Sequence, residues 1–341
     1  MNSGSNYITI YNIECSPSYL INNLSNSKDS LYFIHNSQSF PRVLVVNKPL
    51  LKANNTQCVS ILNSSEKNEM LFIKYFSLKD AELIAIGLYS GFKLWNKDGN
   101  KLLLQILSTT PSSNKNKIYA VLSASEFLRK GGNEKNGGDS ILVGDNLGQL
   151  FIIYGPDTNW KYNKIWSSPK EESILSIGSS IDTNIVGVSL DSGDILLLKI
   201  EEGNCNTVKK IEGDHKQNIS INSVIFSNKN KTEFFLACGF ITGEIKIISL
   251  KDYNLKFSIN SNLRSVGPMT VKNNNEIIVG SDDGQINVWA YEEKENGDKI
   301  VLKNNILIED KMIMGLAYDK DDLNLYVTCY DFPEIIKISE I

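Results

Sequence analysis

The stretch "IIVGSDDGQINVWA", Ile277 to Ala290, decides the fold. It reads as an apolar run, a glycine, a cluster of turn residues, a second glycine and another apolar run, which is the pattern of a β-hairpin. The second glycine, Gly284, stands where the turn needs a positive φ that side chains resist. The pattern recurs in "IAIGLYSGFKLW" (Ile84 to Trp95), "ILVGDNLGQLFIIY" (Ile141 to Tyr154), "VGVSLDSGDILLLK" (Val186 to Lys199, with Ser189 in the first glycine's place) and "LACGFITGEIKIIS" (Leu236 to Ser249). The second glycines, Gly91, Gly148, Gly193, Gly243 and Gly284, are separated by 57, 45, 50 and 41 residues.

A hairpin repeated every ~40–50 residues, with about four strands per period, is the signature of propeller blades. The 57-residue interval contains "RKGGNEKNGGDS" (Arg129 to Ser140), a polar Gly-rich insertion expected to form a flexible loop in blade 3. Two less regular hairpins, "LYFIHNSQSFPRVLVV" (Leu31 to Val46) and "LYVTCYDFPEIIKI" (Leu325 to Ile338), bring the number to seven. Further strands lie between the hairpins, such as "KLLLQIL" (Lys101 to Leu107), "KIYAVLSA" (Lys117 to Ala124) and "SINSVIFS" (Ser220 to Ser227). No amphipathic helix of useful length interrupts them. The expected fold is all-β: one seven-bladed propeller over residues 1–341, against the two domains that ~150 residues per domain would suggest.

The chain order within a blade is inner strand, two hairpin strands, outer strand. After the last hairpin no outer strand remains, and the chain would finish on a bare, Ile-rich edge open to aggregation. "YITIYNI" (Tyr7 to Ile13) is rich in β-branched and aromatic residues and supplies the missing strand. Pairing of about 7–13 with about 334–341 is expected to complete blade 7 and close the ring.

Where a hairpin's second strand ends, "LWN" at Trp95 and "VWA" at Trp289 occupy the place of the Trp-Asp pair of WD-repeat proteins. Asp283 in "SDDG" holds the position of the turn aspartate that ties blades together, and "EGDH" with His215 resembles the Gly-His corner. The chain therefore resembles a divergent WD-repeat β-propeller. Other blades end that strand in Tyr, Lys, Ser or Ile, and their turns carry Ser90, Leu147, Ser192 and Thr242. Cohesion between blades is accordingly expected from apolar packing more than from a buried polar network. The likeness extends to one member of that family over nearly the whole length. It is carried by "NNLS" (Asn22 to Ser25), "SLYF" (Ser30 to Phe33), "SGFKLWNKDG" (Ser90 to Gly99), "GEIKIISLKDYNLKFSIN" (Gly243 to Asn260) and "VTCYDFPEI" (Val327 to Ile335). This resemblance implies a non-enzymatic adaptor linked to vesicles and receptor signalling. It brings no ligand-binding residue with it.

Composition narrows the function classes. The chain is 41% hydrophobic and 22% charged, with a net charge of −4 and scattered Lys and Arg, so a nucleic-acid partner is not expected. No run approaches the ~20 apolar residues that span a bilayer. The first residues lack the features of a secretory signal, and the five dispersed cysteines do not suggest a disulfide framework. A cytoplasmic protein, with vesicle or cilium association as an extension, is the expectation.

Catalytic patterns are missing. Two histidines, His35 and His215, are present, and none of the common nucleophile, metal or phosphate-loop motifs occurs. "GGNEKNGG" lacks the Lys-Ser/Thr of a phosphate cradle, and "DKDD" (Asp319 to Asp322) lacks the Gly and Glu of a calcium loop. Cys238 and Cys329, at strand ends, read as buried small hydrophobes. No enzyme activity, cofactor, metal or small-molecule substrate is expected. A propeller hydrolase using His215 as a base is the alternative from another class, and an architectural subunit of a coat, vesicle or ciliary assembly is a third.

The expected function is a protein-interaction scaffold. Hairpin turns project onto one face of a propeller, and several here carry large apolar groups: Tyr89, Leu147, Phe240, Ile241, Tyr330 and Phe332. Either they form a rim that anchors a protein or peptide partner, or they fold inward to cap the channel and neighbouring blades.

Overall fold

A computed structural model describes residues 7–36, 41–49, 59–63, 70–79, 81–107, 120–129, 138–155, 159–201, 204–213, 218–261 and 263–341. Among them, 28 strands form seven four-stranded antiparallel sheets. The first strands of successive sheets are neighbours around a closed circuit, so they line the centre of a seven-bladed β-propeller. Blade 5 illustrates the plan. Its strands run from the inner Ser220–Ser227 through Phe234–Phe240 and Glu244–Ser249 to the outer Leu255–Asn260.

Strand alternation explains how one sequence serves two neighbours at once. In blade 1, Leu31 and Phe33 pack with Ala317, Tyr326 and Ile335 of blade 7. Tyr32 and Ile34, pointing the other way, pack with Met70, Ile84 and Ile86 of blade 2. Blades are buried on both sides, so their central strands are apolar runs and not alternating ones. The core is consequently divided into seven clusters, one at each junction between blades. Phe33, Phe92, Phe151 and Phe235 are among the fully buried side chains, each worth about 1.5–3 kcal/mol against exposure.

The ring closes as the repeat pattern requires. Tyr7–Asn12 lies antiparallel to Glu334–Ser339, in register from Tyr7 with Ser339 to Asn12 with Glu334. The ladder stops one residue short of Ile13, which is buried and donates its N–H to the Pro333 carbonyl at 2.8 Å. The Ile-rich last strand thus gains a partner on each side.

The blade 3 insertion is shorter than its composition suggests. The strands Val121–Arg129 and Gly138–Asp145 extend into it, with Arg129 opposite Gly138, because backbone pairing continues past the apolar segment. Residues 130–137 of the expected loop lie outside the described residues.

The two glycines of the hairpin pattern differ in purpose. Gly243 and Gly284 have φ of 80° and 83°. A Cβ on Gly243 would also lie 2.0 Å from the Leu263 carbonyl oxygen, so conformation and space both demand glycine. The first glycine of the pattern has no positive φ. A Cβ on Gly239 would lie 2.2 Å from Val266 Cγ1, and one on Gly144 2.5 Å from Ile174 Cγ2, both on the approach to the next blade. These glycines let the following blade's inner-strand region pack against the sheet. The hairpin of blade 7 lacks the second glycine, and Asp331 takes the left-handed conformation there with φ 50°. In blades 2, 3, 4, 5 and 7 a bulge breaks the register at the start of the inner strand, bending it as it enters the sheet.

Candidate functional site

The face that carries the hairpin turns also carries the links between blades. Ser168 N–H donates to the Gly148 carbonyl, Ile241 to Ile219, Ile308 to Gly284 and Tyr330 to Met312. In blades 3, 5, 6 and 7 turns and links are thereby bonded to one another, and the sequence-derived rim residues all lie at this face.

They divide by exposure. Tyr89, Ile241 and Tyr330 are 58%, 39% and 48% exposed. Leu147 is half-buried. Phe332 is half-buried against the blade 6–7 cluster, with the Lys311 ammonium 3.0 Å from its ring centre. Phe240 is a correction: it is 1% exposed, packs among Leu236, Ile248 and Leu250, and has the Lys246 ammonium 4.8 Å from its ring centre. The cause is its column in the repeat. Phe240 ends the hairpin's first strand, as Leu88, Leu190 and Cys329 do, and all four are buried. Tyr89, Ile241 and Tyr330 occupy the next column, inside the turn. Comparing the repeats column by column separates the two groups; comparing turn composition does not.

Tyr19 joins this surface although no pattern in the sequence singles it out. It lies on the link from blade 7 to blade 1, is 62% exposed, and meets Tyr330 edge-to-face with ring centres 5.4 Å apart. The loops around the aromatic groups are acidic. Glu171, Asp191, Glu309, Asp310 and Asp331 are exposed there, against the cations Lys170, Arg264 and Lys311. Among its described residues the rim combines isolated aromatic and aliphatic groups with more exposed carboxylates than cations.

The turn carboxylates fasten links to turns. Asp194 accepts the Gly213 N–H at 3.0 Å and pairs with Lys210 at 2.7 Å. Burial pushes its carboxyl up, but these partners outweigh burial and hold it below the usual carboxylate range. Asp283 accepts from Gln285 and from the Arg264 N–H, with the same outcome and the same opposing burial. The indole N–H groups of Trp95 and Trp289 are buried without a hydrogen-bond partner, in keeping with junctions held chiefly by apolar contacts.

Groups with chemical potential are engaged elsewhere. Cys238 and Cys329 are buried, and burial pushes both thiols up to about 12, so neither forms a thiolate readily. His35 Nδ1 donates to the Ser16 carbonyl at 2.7 Å. His215 lies outside the described residues. In "DKDD", Asp319 is 2.5 Å from Lys48 and accepts the N–H groups of Asp321 and Asp322. Among the described residues, no group of three or more His, Cys, Asp or Glu is arranged to hold a metal.

No family model matches this sequence, and no curated protein matches it. Among solved structures the chain is similar to one from the crystal structure of the mitotic checkpoint complex. The TM-score is 0.70 at 10% identity, covering 98% of this chain and 93% of that one. At that identity the likeness is one of fold: a complete seven-bladed propeller. Since 1616 solved chains match, the shape by itself selects no partner.

Proposed function

We propose that this protein is a non-enzymatic scaffold of the WD-repeat type that binds a protein or peptide partner on its turn face. The observation that carries the reading is the exposed set Tyr19, Tyr89, Ile241 and Tyr330 on the one face that bears the hairpin turns. Exposed aromatic groups on a rigid frame are suitable anchors because their burial on binding costs little conformational entropy. The acidic loops favour a partner with basic residues around an apolar anchor and speed its encounter. The structural likeness to a chain from an assembled complex agrees with a role in holding proteins together.

The test is affinity capture with the tagged full chain, comparing wild type with Tyr330→Ser/Ile241→Ser. Both side chains are exposed, so folding should persist. Recovery of the bound partner should fall at least tenfold; equal recovery would reject the turn face as the docking surface.

The finer likeness, to WD repeat-containing protein 54, rests on "VTCYDFPEI" and the other matching stretches. It supports a cytoplasmic adaptor near vesicles or cilia. A fluorescent fusion that distributes evenly, with no enrichment at either, would remove that reading. A fixed architectural subunit is the second reading. Native mass in cell extract separates the two, since such a subunit runs only in a large assembly. Esterase activity lost in His215→Ala would instead favour the hydrolase.

A further inference from the structure

The other mouth of the central channel has a different character. Its wall is built from turns that follow the inner strands of blades 4, 5 and 6, and from Lys320 just beyond the inner strand of blade 7. Together they enclose a cleft of about 290 Å³. Ile225 and Phe226, both buried, form its floor with Phe234 and Val271, while Ile181 stands at the lip, 46% exposed. Two lysines reach it, Lys231 and Lys320, against a single carboxylate, Asp182. Asp182 is 3.4 Å from Lys231 in an exposed pair, a contact that solvent screens and that a ligand can replace cheaply. Lys320 forms no ion pair with any described residue.

We propose that this cleft is a second docking site, which takes a peptide segment bearing an acidic residue beside an aliphatic or aromatic one. The apolar floor accepts the apolar side chain, and the surplus ammonium at the lip accepts the carboxylate. The volume is at the small end of ligand sites, which suits one or two anchoring side chains and not a large cofactor.

Both lysines are carried on fastened turns. The turn before Lys231 is held by Asn228, whose side-chain oxygen accepts the N–H groups of Thr232 and Glu233. Lys320 follows Asp319, which Lys48 holds in place. The turns that carry the cationic groups are thus fixed, so binding has to order the two lysine side chains and little backbone. The two faces then select opposite chemistries: basic segments at the aromatic rim, acidic ones at this mouth. A protein with both sites can bridge two partners through the axis of one ring. The inference does not depend on the turn-face reading, because no residue is shared between the sites.

The test uses an array of fluorescein-labelled hexapeptides carrying Asp or Glu next to Leu, Ile or Phe, with Lys-substituted counterparts, read by fluorescence polarisation on the full chain. Acidic–apolar members should bind the wild type and their Lys counterparts should not. Affinity should fall at least tenfold for Lys231→Glu/Lys320→Glu, about threefold for Lys320→Ala alone, and remain unchanged for Tyr330→Ser/Ile241→Ser. The proposal is overturned if acidic members bind no tighter than their Lys counterparts, if the lysine variants bind them as tightly as wild type, or if the rim variant is the one that loses them. Lys320→Ala changes one exposed side chain, so it separates lost binding from lost folding.

Discussion

The junction between blades 5 and 6 and the junction between blades 7 and 1 do the same mechanical job with different chemistry. At the first, Phe226, Phe235 and Met269 pack with Val266 and Tyr291 in an apolar seam, and Gly239 gives up its side chain to make room. Both junctions hold buried neutral hydrogen bonds, such as that from the Asn222 amide to the Gly267 carbonyl at the first, but the second adds a buried ion pair. Lys48 and Asp319 pair at 2.5 Å with side chains 3% and 5% exposed. Lys48 also donates to the Ser27 carbonyl, and its ammonium lies 5.4 Å from the centre of the Tyr326 ring. Asn23, fully buried, bonds the backbone of Ile34 through its side chain, and its carbonyl accepts from Thr328.

The difference follows from connectivity. Blades 5 and 6 are consecutive, so the chain delivers one to the other. Blades 7 and 1 come from opposite ends of the sequence, and closing a loop of that length costs about 3 kcal/mol more than closing one of ~10 residues. Apolar surfaces pack with many partners, whereas a buried ion pair is satisfied by one geometry only. The buried ion pair is thus suited to specifying which edges meet, while apolar burial supplies most of the attraction.

The comparison can be broken most severely by deleting residues 1–13. Blade 7 then loses its outer strand, and stability should fall by about 5 kcal/mol or more, with aggregation of the exposed edge. Thermal melting with light scattering reports both; a truncated chain that melts like the full one would show that closure lies elsewhere. Lys48→Met comes next. It strands a buried carboxylate and should cost about 3–5 kcal/mol in chemical denaturation. Lys48→Met/Asp319→Leu should recover most of that loss, which would show that the pair adds little net stability.

At the apolar junction, Gly239→Ala should cost about 1–3 kcal/mol through overpacking against Val266 and Met269, with no change in pH dependence. The smallest effect sharpens the contrast through pH. Burial raises the Asp319 carboxyl, but Lys48 and the turn N–H groups outweigh it, leaving it below its ordinary value. A carboxylate depressed in the folded state contributes stability above its unfolded value, about 3.9, and loses it as pH falls through the folded value. The melting temperature of the wild type should therefore drop below about pH 4 by more than that of Lys48→Met/Asp319→Leu; equal drops would place the acid sensitivity at other carboxylates.

Much of this was legible in the residues. The second glycine of five hairpins, the recurrence of the hairpin and the unpaired strands at the two ends determine a seven-bladed ring and its closure, because turn conformation and strand alternation are local properties. The exposure of Tyr89, Ile241 and Tyr330 against the burial of Phe240 was half legible, since the repeat column carries it although turn composition hides it. Tyr19, the Lys48–Asp319 pair and the cleft at the opposite mouth were not legible at all. Lys48 and Asp319 are 271 positions apart in the chain, and the cleft draws on four blades.

What the sequence by itself determined is the repeated unit, its number and the strand that completes it. What only the tertiary structure decided is which side chains from different blades meet, since ring closure brings together residues that no periodicity relates. The packing glycines belong to both. Their positions, Gly87, Gly144, Gly239 and Gly280, are written in four of the seven repeats, but their reason, the approach of the next blade, exists only once the ring has formed.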